Sequence, residues 1–264
     1  MQLTQARVLL SGASGGLGRA LARQLVEGGA SVLLTGRDAD KLKTLQTSLG
    51  TSASYVVADL NRDDGIRHAL QAAVDFKVNT LVNNAGTSAF GLLEDQHWQL
   101  IEQLLCTNLL APMRLTHALL GHLMAQPQAA VVNVGSTFGS IPFAGFAAYS
   151  SAKAGLRGFS QSLRRELADT NLAVIHVAPR AIDTPMNSPA VNALNHALKN
   201  HSDSAQSVAR QIVKAMQHGR GDHHFGFPER LFAWLNAVAP ALVERGLASK
   251  LTTIKQHARL SKPT

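Results

Sequence analysis

Tyr149 and Lys153 stand four residues apart in Ala148-Tyr149-Ser150-Ser151-Ala152-Lys153. On a helix that spacing projects both side chains from one face. A phenol normally holds its proton to a pKa of about 10. An ammonium fixed beside it favours the phenolate and draws that pKa down, which turns an inert hydroxyl into an acid or base near neutral pH. Such pairs arise often by chance, and this one gains its weight from a glycine-rich turn at the other end of the chain. Ser11-Gly12-Ala13-Ser14-Gly15-Gly16-Leu17-Gly18 follows the apolar run Val8-Leu9-Leu10 and opens a helical pattern through Leu21, Leu25 and Val26. Without side chains at Gly12, Gly16 and Gly18, the backbone can turn tightly and approach a pyrophosphate. The helix N-terminus adds free N–H groups and a partial positive charge. A merely tight strand-to-helix turn would use the same glycines.

The residue that reads an adenosine ribose lies about 20 positions beyond such glycines, where the second strand ends. Here that strand ends Thr35-Gly36-Arg37-Asp38. An acid there would grip the 2′-hydroxyl of NAD, whereas Arg37 could hold the 2′-phosphate of NADP as a fork. Asp38 precedes an apolar-periodic helix with Leu42 and Leu45 and reads as its N-cap. NADP (NADPH) is therefore the expected cofactor, with NAD the alternative.

The elements that must position these residues alternate along the chain. Strand-like runs fall at Val8–Leu10, Ser31–Thr35, Tyr55–Val57, Thr80–Val82, Ala129–Val134 and Ala173–Val177, with a short last strand at His223–Gly226. Helical patterns lie between them, including one long helix over Trp98–Met124, a second over Ala148–Leu167, and helices over Asn187–Lys199 and Ser204–Gln217. Strands alternating with helices predict a parallel sheet covered on both faces, a doubly wound α/β Rossmann fold of about seven strands. No repeat or low-complexity linker divides the 264 residues, so the sequence predicts a single domain over 1–264, with a core of about 7–226 and a helical extension of about 227–260.

A lone cysteine, Cys106, excludes an intrachain disulfide framework and a cysteine-rich metal site. With no signal-peptide pattern and no long apolar stretch, a cytoplasmic location is expected. The formal charge is +8, yet the basic residues are scattered and aromatics are few, so attraction for anionic cofactors and substrates explains it better than nucleic acid. The histidines lack the supporting carboxylates or cysteines of a ligand set, and no metal is expected.

With these segments in hand, the chain resembles the short-chain dehydrogenase/reductase family over about residues 7–226. The family's TGxxxGxG turn is present with serine first, as Ser11 to Gly18; its Asn-Asn-Ala-Gly stands at Asn83 to Gly86; its helix asparagine matches Asn108; its Ser…Tyr-x-x-x-Lys matches Ser136, Tyr149 and Lys153. The resemblance implies an oxidoreductase moving a hydride between NADP(H) and a carbonyl or alcohol. In it Ser136 bonds the reacting oxygen and Tyr149 exchanges a proton with it. Lys153 lowers the tyrosine pKa and bonds the nicotinamide ribose, and Asn108 fixes a water near Lys153. It further implies that Gly12, Ser14, Gly16, Leu17 and Gly18 surround the pyrophosphate, and that Asp59 and Leu60 flank the adenine. Asn83, Ala85, Gly86 and Pro179 would line the cofactor channel beside Tyr149 and Lys153, and Thr184 would hold the carboxamide. The long helices match those that pair subunits in this family, which implies a homodimer or homotetramer. A non-catalytic NADP(H)-sensing protein and a 3-oxoacyl-thioester reductase acting on acyl carrier protein are the competing readings.

One position departs from the family. Its usual Pro-Gly after the sixth strand is Pro179-Arg180 here. Arg180 either points inward, toward substrate or cofactor, or outward with only the turn changed. The substrate loop is expected over Pro185–His201, with Met186, Val191, Leu194 and Leu198 serving either as a lid or as core packing. The tail from Phe227 is apolar on most sides and broken by Pro240. It could cap the substrate pocket, pack in a dimer, or lie on a membrane interface beside Arg230, Arg245, Lys250 and Lys255.

Overall fold

The computed structural model describes residues 2–260. In chain order the elements are β1 (Arg7–Ser11), α1 (Gly16–Glu27), β2 (Ser31–Gly36), α2 (Ala39–Leu49), β3 (Ala53–Val57), α3 (Asp63–Asp75) and β4 (Thr80–Asn83). Then come α4 (Trp98–Leu105), α5 (Ala111–Met124), β5 (Ala129–Val134), α6 (Ala147–Glu166), β6 (Leu172–Ala178), β7 (Ile182–Asp183) and α7 (Pro189–Ala197). The chain finishes through β8 (Asp203–Ser204), α8 (Ala205–His218), β9 (Gly221–His224), α9 (Phe227–Val238), α10 (Pro240–Ala248) and α11 (Leu251–Leu260).

Seven strands form one parallel sheet in the order β3-β2-β1-β4-β5-β6-β9. Side chains alternate across it, so each strand feeds two cores. Val8, Leu10, Val32, Leu34, Val132 and Ile175 pack on one face with Leu21, Leu25, Val208 and Ile212 of α1 and α8. Leu9, Leu33, Leu81, Val131 and Val174 pack on the other with Ala69, Leu115 and Leu119 of α3 and α5. Burial on both faces explains why the central strands read as unbroken apolar runs; the edge strands β3 and β9 are only partly covered. Leu10 is fully buried, and its truncation to alanine would cost about 2–5 kcal/mol. The strand order reverses between β1 and β4, and in an open α/β sheet the ligand crevice lies beyond the strand ends at that point.

Three local features differ from the sequence expectation. The helix expected over 98–124 is two helices joined by a π-helical turn, Cys106–Leu110. Pro112 has no N–H to give the Asn108 carbonyl, so the regular ladder cannot pass through this point. Strands β7 and β8 form a separate two-stranded parallel pair, Ile182 with Asp203 and Asp183 with Ser204; two residues leave no readable period. The tail is three helices, and its last one docks: Ile254 and Ala258 are buried, and Ile254 packs with Phe146, Val191 and Leu194.

Candidate active site

The glycine turn is built by exclusion of side chains. Gly12 has a φ of +63°, and a Cβ placed on it would lie 2.7 Å from Ala85 Cα. A Cβ on Gly16 would lie 3.0 Å from Thr184 Cβ, and one on Gly18 would run into the Gly12 carbonyl. Ser11, where the family's threonine is expected, holds the turn from below: its Oγ accepts from the backbone N–H groups of Asn84 and Ala85, both at 2.9 Å. Asn84 Nδ2 donates to the Ser11 and Gly12 carbonyls at 2.9 and 3.2 Å. Helix α1 begins after Gly15 with no side-chain cap and no acid in its first turn. A backbone cradle that shuts out Cβ atoms, facing a helix N-terminus free of competing carboxylates, fits a pyrophosphate.

At the adenosine end Arg37 is exposed on the cleft wall with Lys41. Asp38 is the N-cap of α2. Its carboxylate accepts from Lys41 N–H at 3.0 Å and pairs with Lys41 Nζ at 2.7 Å, and these bonds hold it below the usual carboxylate range. The acid is thus committed to its helix, and Arg37 is the side chain left facing the cleft.

On the far side, α6 presents Tyr149 and Lys153 to the loop that leaves β5. The Ser136 hydroxyl faces the Tyr149 hydroxyl closely enough to pull its pKa down. Ser136 Oγ also accepts from Phe138 N–H at 3.2 Å, which fixes its position. Lys153 is buried; its Nζ donates to the Val134 carbonyl at 2.9 Å and sits 5.8 Å from the centroid of the Tyr149 ring. Burial lowers the Lys153 pKa from 10.5 to about 8. The expected sign at Tyr149 is reversed. Burial pushes the phenol up, and only the Ser136 hydroxyl pulls it back. The ammonium lies over the ring and is bonded to the Val134 carbonyl, and desolvation is the largest influence on the phenol.

One continuous cleft of about 1010 Å³ joins these parts. Of the residues singled out from sequence, Gly12, Ser14, Gly16, Leu17, Gly18, Arg37, Asp59, Leu60, Ala85, Gly86, Ser136, Tyr149, Lys153 and Thr184 all line it. Three do not, and each has a local reason. Asn83 is buried in the sheet, where its Nδ2 donates to Asn133 Oδ1 at 2.8 Å and Thr116 Oγ1 at 3.1 Å; its neighbour Asn84 faces the cleft instead. The Pro179 carbonyl is taken by Thr137, through N–H at 2.9 Å and Oγ1 at 3.1 Å. The Asn108 amide is fully occupied by the Thr87 backbone, accepting at 2.8 Å and donating at 2.7 Å, in the π-helical turn behind Gly86. Asn108 therefore fixes the backbone beside Lys153 through its side chain and does not reach the cleft surface.

The walls of the substrate half were less legible. Phe138, Phe143 and Phe146 line the cleft around the tyrosine. Phe138 and Phe146 meet the Tyr149 ring edge-on, at 6.3 and 6.2 Å between centroids. The sequence signal was the recurrence of Phe between Ser136 and Tyr149. Met186, Val191 and Leu194 come from the expected substrate loop, and Phe232, Leu235, Leu242 and Val243 from the tail, which roofs this half. Arg180 does not sit free at the site. Its guanidinium forms a fork on Asp203, Nε to Oδ2 at 2.9 Å and Nη2 to Oδ1 at 2.8 Å, and Nη1 reaches Glu229 at 3.4 Å. It lines the cleft as a tie between the end of β6, strand β8 and the roof helix α9. Among the described residues no cluster of three or more His, Cys, Asp or Glu side chains could hold a metal.

The family model for short chain dehydrogenases matches residues 6–195. An uncharacterized oxidoreductase of Bacillus subtilis, YxnA, is 32 % identical over 264 residues, 95 % of this chain and 73 % of that protein. The 3-oxoacyl-[acyl-carrier-protein] reductase FabG of Vibrio cholerae is 36 % identical over 191 residues, 70 % of this chain and 76 % of that one. A crystal structure of a short-chain dehydrogenase from Streptomyces avermitilis superposes with a TM-score of 0.79 at 28 % identity, covering 94 % of this chain and 99 % of that one. The chain belongs to the short-chain dehydrogenase family, oxidoreductases that use a nicotinamide dinucleotide to act on CH–OH or C=O groups.

Proposed function

We propose that the protein is an NADP(H)-dependent carbonyl reductase whose proton donor is Tyr149. The observation that carries this reading is the meeting of the Ser136 hydroxyl, the Tyr149 hydroxyl and the Lys153 ammonium on one wall of a cleft that continues to the glycine turn and Arg37. When bound, NADPH supplies hydride to the carbonyl carbon. The chain's own residues handle the oxygen. Ser136 donates a hydrogen bond to it as negative charge grows, and Tyr149 transfers its proton to give the alcohol. Donors aimed at developing charge contribute about 10²–10³-fold each. Lys153, protonated below about pH 8, places a positive charge 5.8 Å from the centroid of the Tyr149 ring, and in the family's arrangement it would bond the nicotinamide ribose.

Arg37 supports NADP over NAD, since Asp38 is engaged in capping α2. The aromatic and aliphatic lining supports an apolar carbonyl substrate. The likeness to an acyl-carrier-protein reductase makes a 3-oxoacyl thioester the second substrate class. Subunit pairing through α4, α5 and α6 is in keeping with the exposed Trp98, Leu100 and Leu110 on that side. The test is Tyr149→Phe, assayed by NADPH absorbance against a panel of ketones, aldehydes and acyl thioesters. Turnover should fall at least about 10³-fold while NADPH affinity stays within about twofold. A variant retaining most of its activity removes Tyr149 from the chemistry. No turnover by the parent across the whole panel favours a cofactor-sensing protein.

A further inference from the structure

Helix α9 has two different faces. Asn236 Nδ2 donates to the Ser140 carbonyl at 2.9 Å and Glu229 pairs with Arg180, so one side is bolted to the body. The other side carries Phe227, Leu231, Trp234 and Val238, which are 74, 51, 61 and 59 % exposed. At 3.6 residues per turn these four fall within about 60° of arc, opposite Glu229 and Asn236. A stripe of this kind with two aromatics on a folded chain is not random surface. It is also continuous with the inside of the cleft: Phe232 on α9 and Leu242 on α10 line the cavity and are still 50 and 57 % exposed. The apolar surface therefore runs from the outer helix face over the lip of the cleft.

Charge decides what covers it. From Phe227 to Leu260 the basic residues are Arg230, Arg245, Lys250, Lys255 and Arg259, against two acids, Glu229 and Glu244. One of those acids is already spent on Arg180. Arg230 stands next to the stripe and is exposed. The chain as a whole carries +8. A second copy would bring the same cations against these and be repelled. An anionic lipid surface offers both what the apolar stripe needs and what the cations attract. Among the described residues no helix is long and apolar enough to cross a membrane, so contact would be in the plane of the interface. We propose that α9 and α10 dock the protein on anionic phospholipid surfaces, with the lip of the cleft turned to the lipid. This goes beyond the proposed reductase reading and does not depend on it.

The experiment uses the full chain with Trp98→Phe, leaving Trp234 as the sole tryptophan. It is mixed with vesicles of phosphatidylcholine alone or with phosphatidylglycerol, then floated on a density gradient. Co-flotation with the anionic vesicles, weakened by about 0.5 M salt, and a shift of Trp234 emission to shorter wavelength are expected. Leu231→Glu with Trp234→Glu should lose flotation and keep the parent's melting temperature and NADPH binding. If that pair does not fold, Arg230→Glu with Arg245→Glu must reduce flotation instead. Protein that stays at the bottom with both vesicle types overturns the proposal. So does a parent oligomer, seen by light scattering, that falls apart in the stripe variant without any vesicle binding by the parent. NADPH titration of the same samples keeps failure of docking separate from failure of the reductase reading.

Discussion

Replacing Lys153 by methionine should remove catalysis and flatten the rise in stability that the wild type shows with increasing pH, so that the variant compares best with wild type at neutral pH and worst in alkali. The lysine is buried and its pKa falls from 10.5 to about 8, which corresponds to about 3 kcal/mol of penalty on the charged form. The sign follows from proton linkage. Between about pH 8 and 10.5 the unfolded chain keeps the Lys153 proton and the folded chain has lost it, so stability rises with pH across that window; below it the penalty is present in full. For wild type the gain is on the order of 1 kcal/mol by pH 9 and on the order of 2–3 kcal/mol by pH 10, relative to pH 7. The methionine variant lacks this gain. It also loses the hydrogen bond to the Val134 carbonyl, which costs about 1–3 kcal/mol, but that offset is the same at every pH and drops out of the slope. Urea midpoints of both proteins at pH 7, 8, 9 and 9.5 give the difference directly. A stability difference that is flat over this range would show that Lys153 titrates as an ordinary surface lysine, and would remove the argument that its burial tunes it for work near neutral pH.

Arg37→Ala should weaken NADPH by about tenfold, one charge-assisted contact at an exposed site, and leave NADH unchanged; nucleotide titrations that show an unaltered preference remove Arg37 from that role. Gly12→Ala forces a side chain at φ +63° against Ala85 and should lower affinity for either dinucleotide at least about tenfold, measured by the same titration. Arg180→Gly restores the family's usual residue, yet it leaves Asp203 and Glu229 without their cation. Stability should drop by about 1–2 kcal/mol and KM for an apolar ketone should rise with NADPH affinity unaffected. A lower KM would mean that Arg180 obstructs the cleft instead of holding its roof.

What could be read from the sequence follows a physical division. The inner strands were legible because burial on both sheet faces leaves continuous apolar runs, and the glycine turn because only glycine fits positions such as Gly12 and Gly18; the last strand, Gly221–His224, has no such run and lies two residues before the expected His223–Gly226. Features set by contacts between distant residues were not. Asn83 and Asn84 are adjacent and identical, yet one bonds Asn133 in the sheet and the other holds the turn; one step along a strand reverses the direction of a side chain. The sign of the Tyr149 shift is set first by how far the phenol is desolvated and then by Ser136, neither of which a four-residue spacing to Lys153 encodes. Arg180 could be seen as an anomaly, but its meaning came from Asp203 and Glu229, 23 and 49 residues away. Asn84 behind the glycine turn and Asn108 behind Gly86 are two such places, and the rest gather in the substrate half. There β8, the loop carrying α7 and the tail meet, and the partners come from separate parts of the chain. The cofactor half is assembled mostly by successive strand ends and could be placed in advance. On the proposed reductase reading, substitutions at the Arg180 tie and the tail roof should change which carbonyl is accepted without disturbing the Ser136, Tyr149 and Lys153 wall.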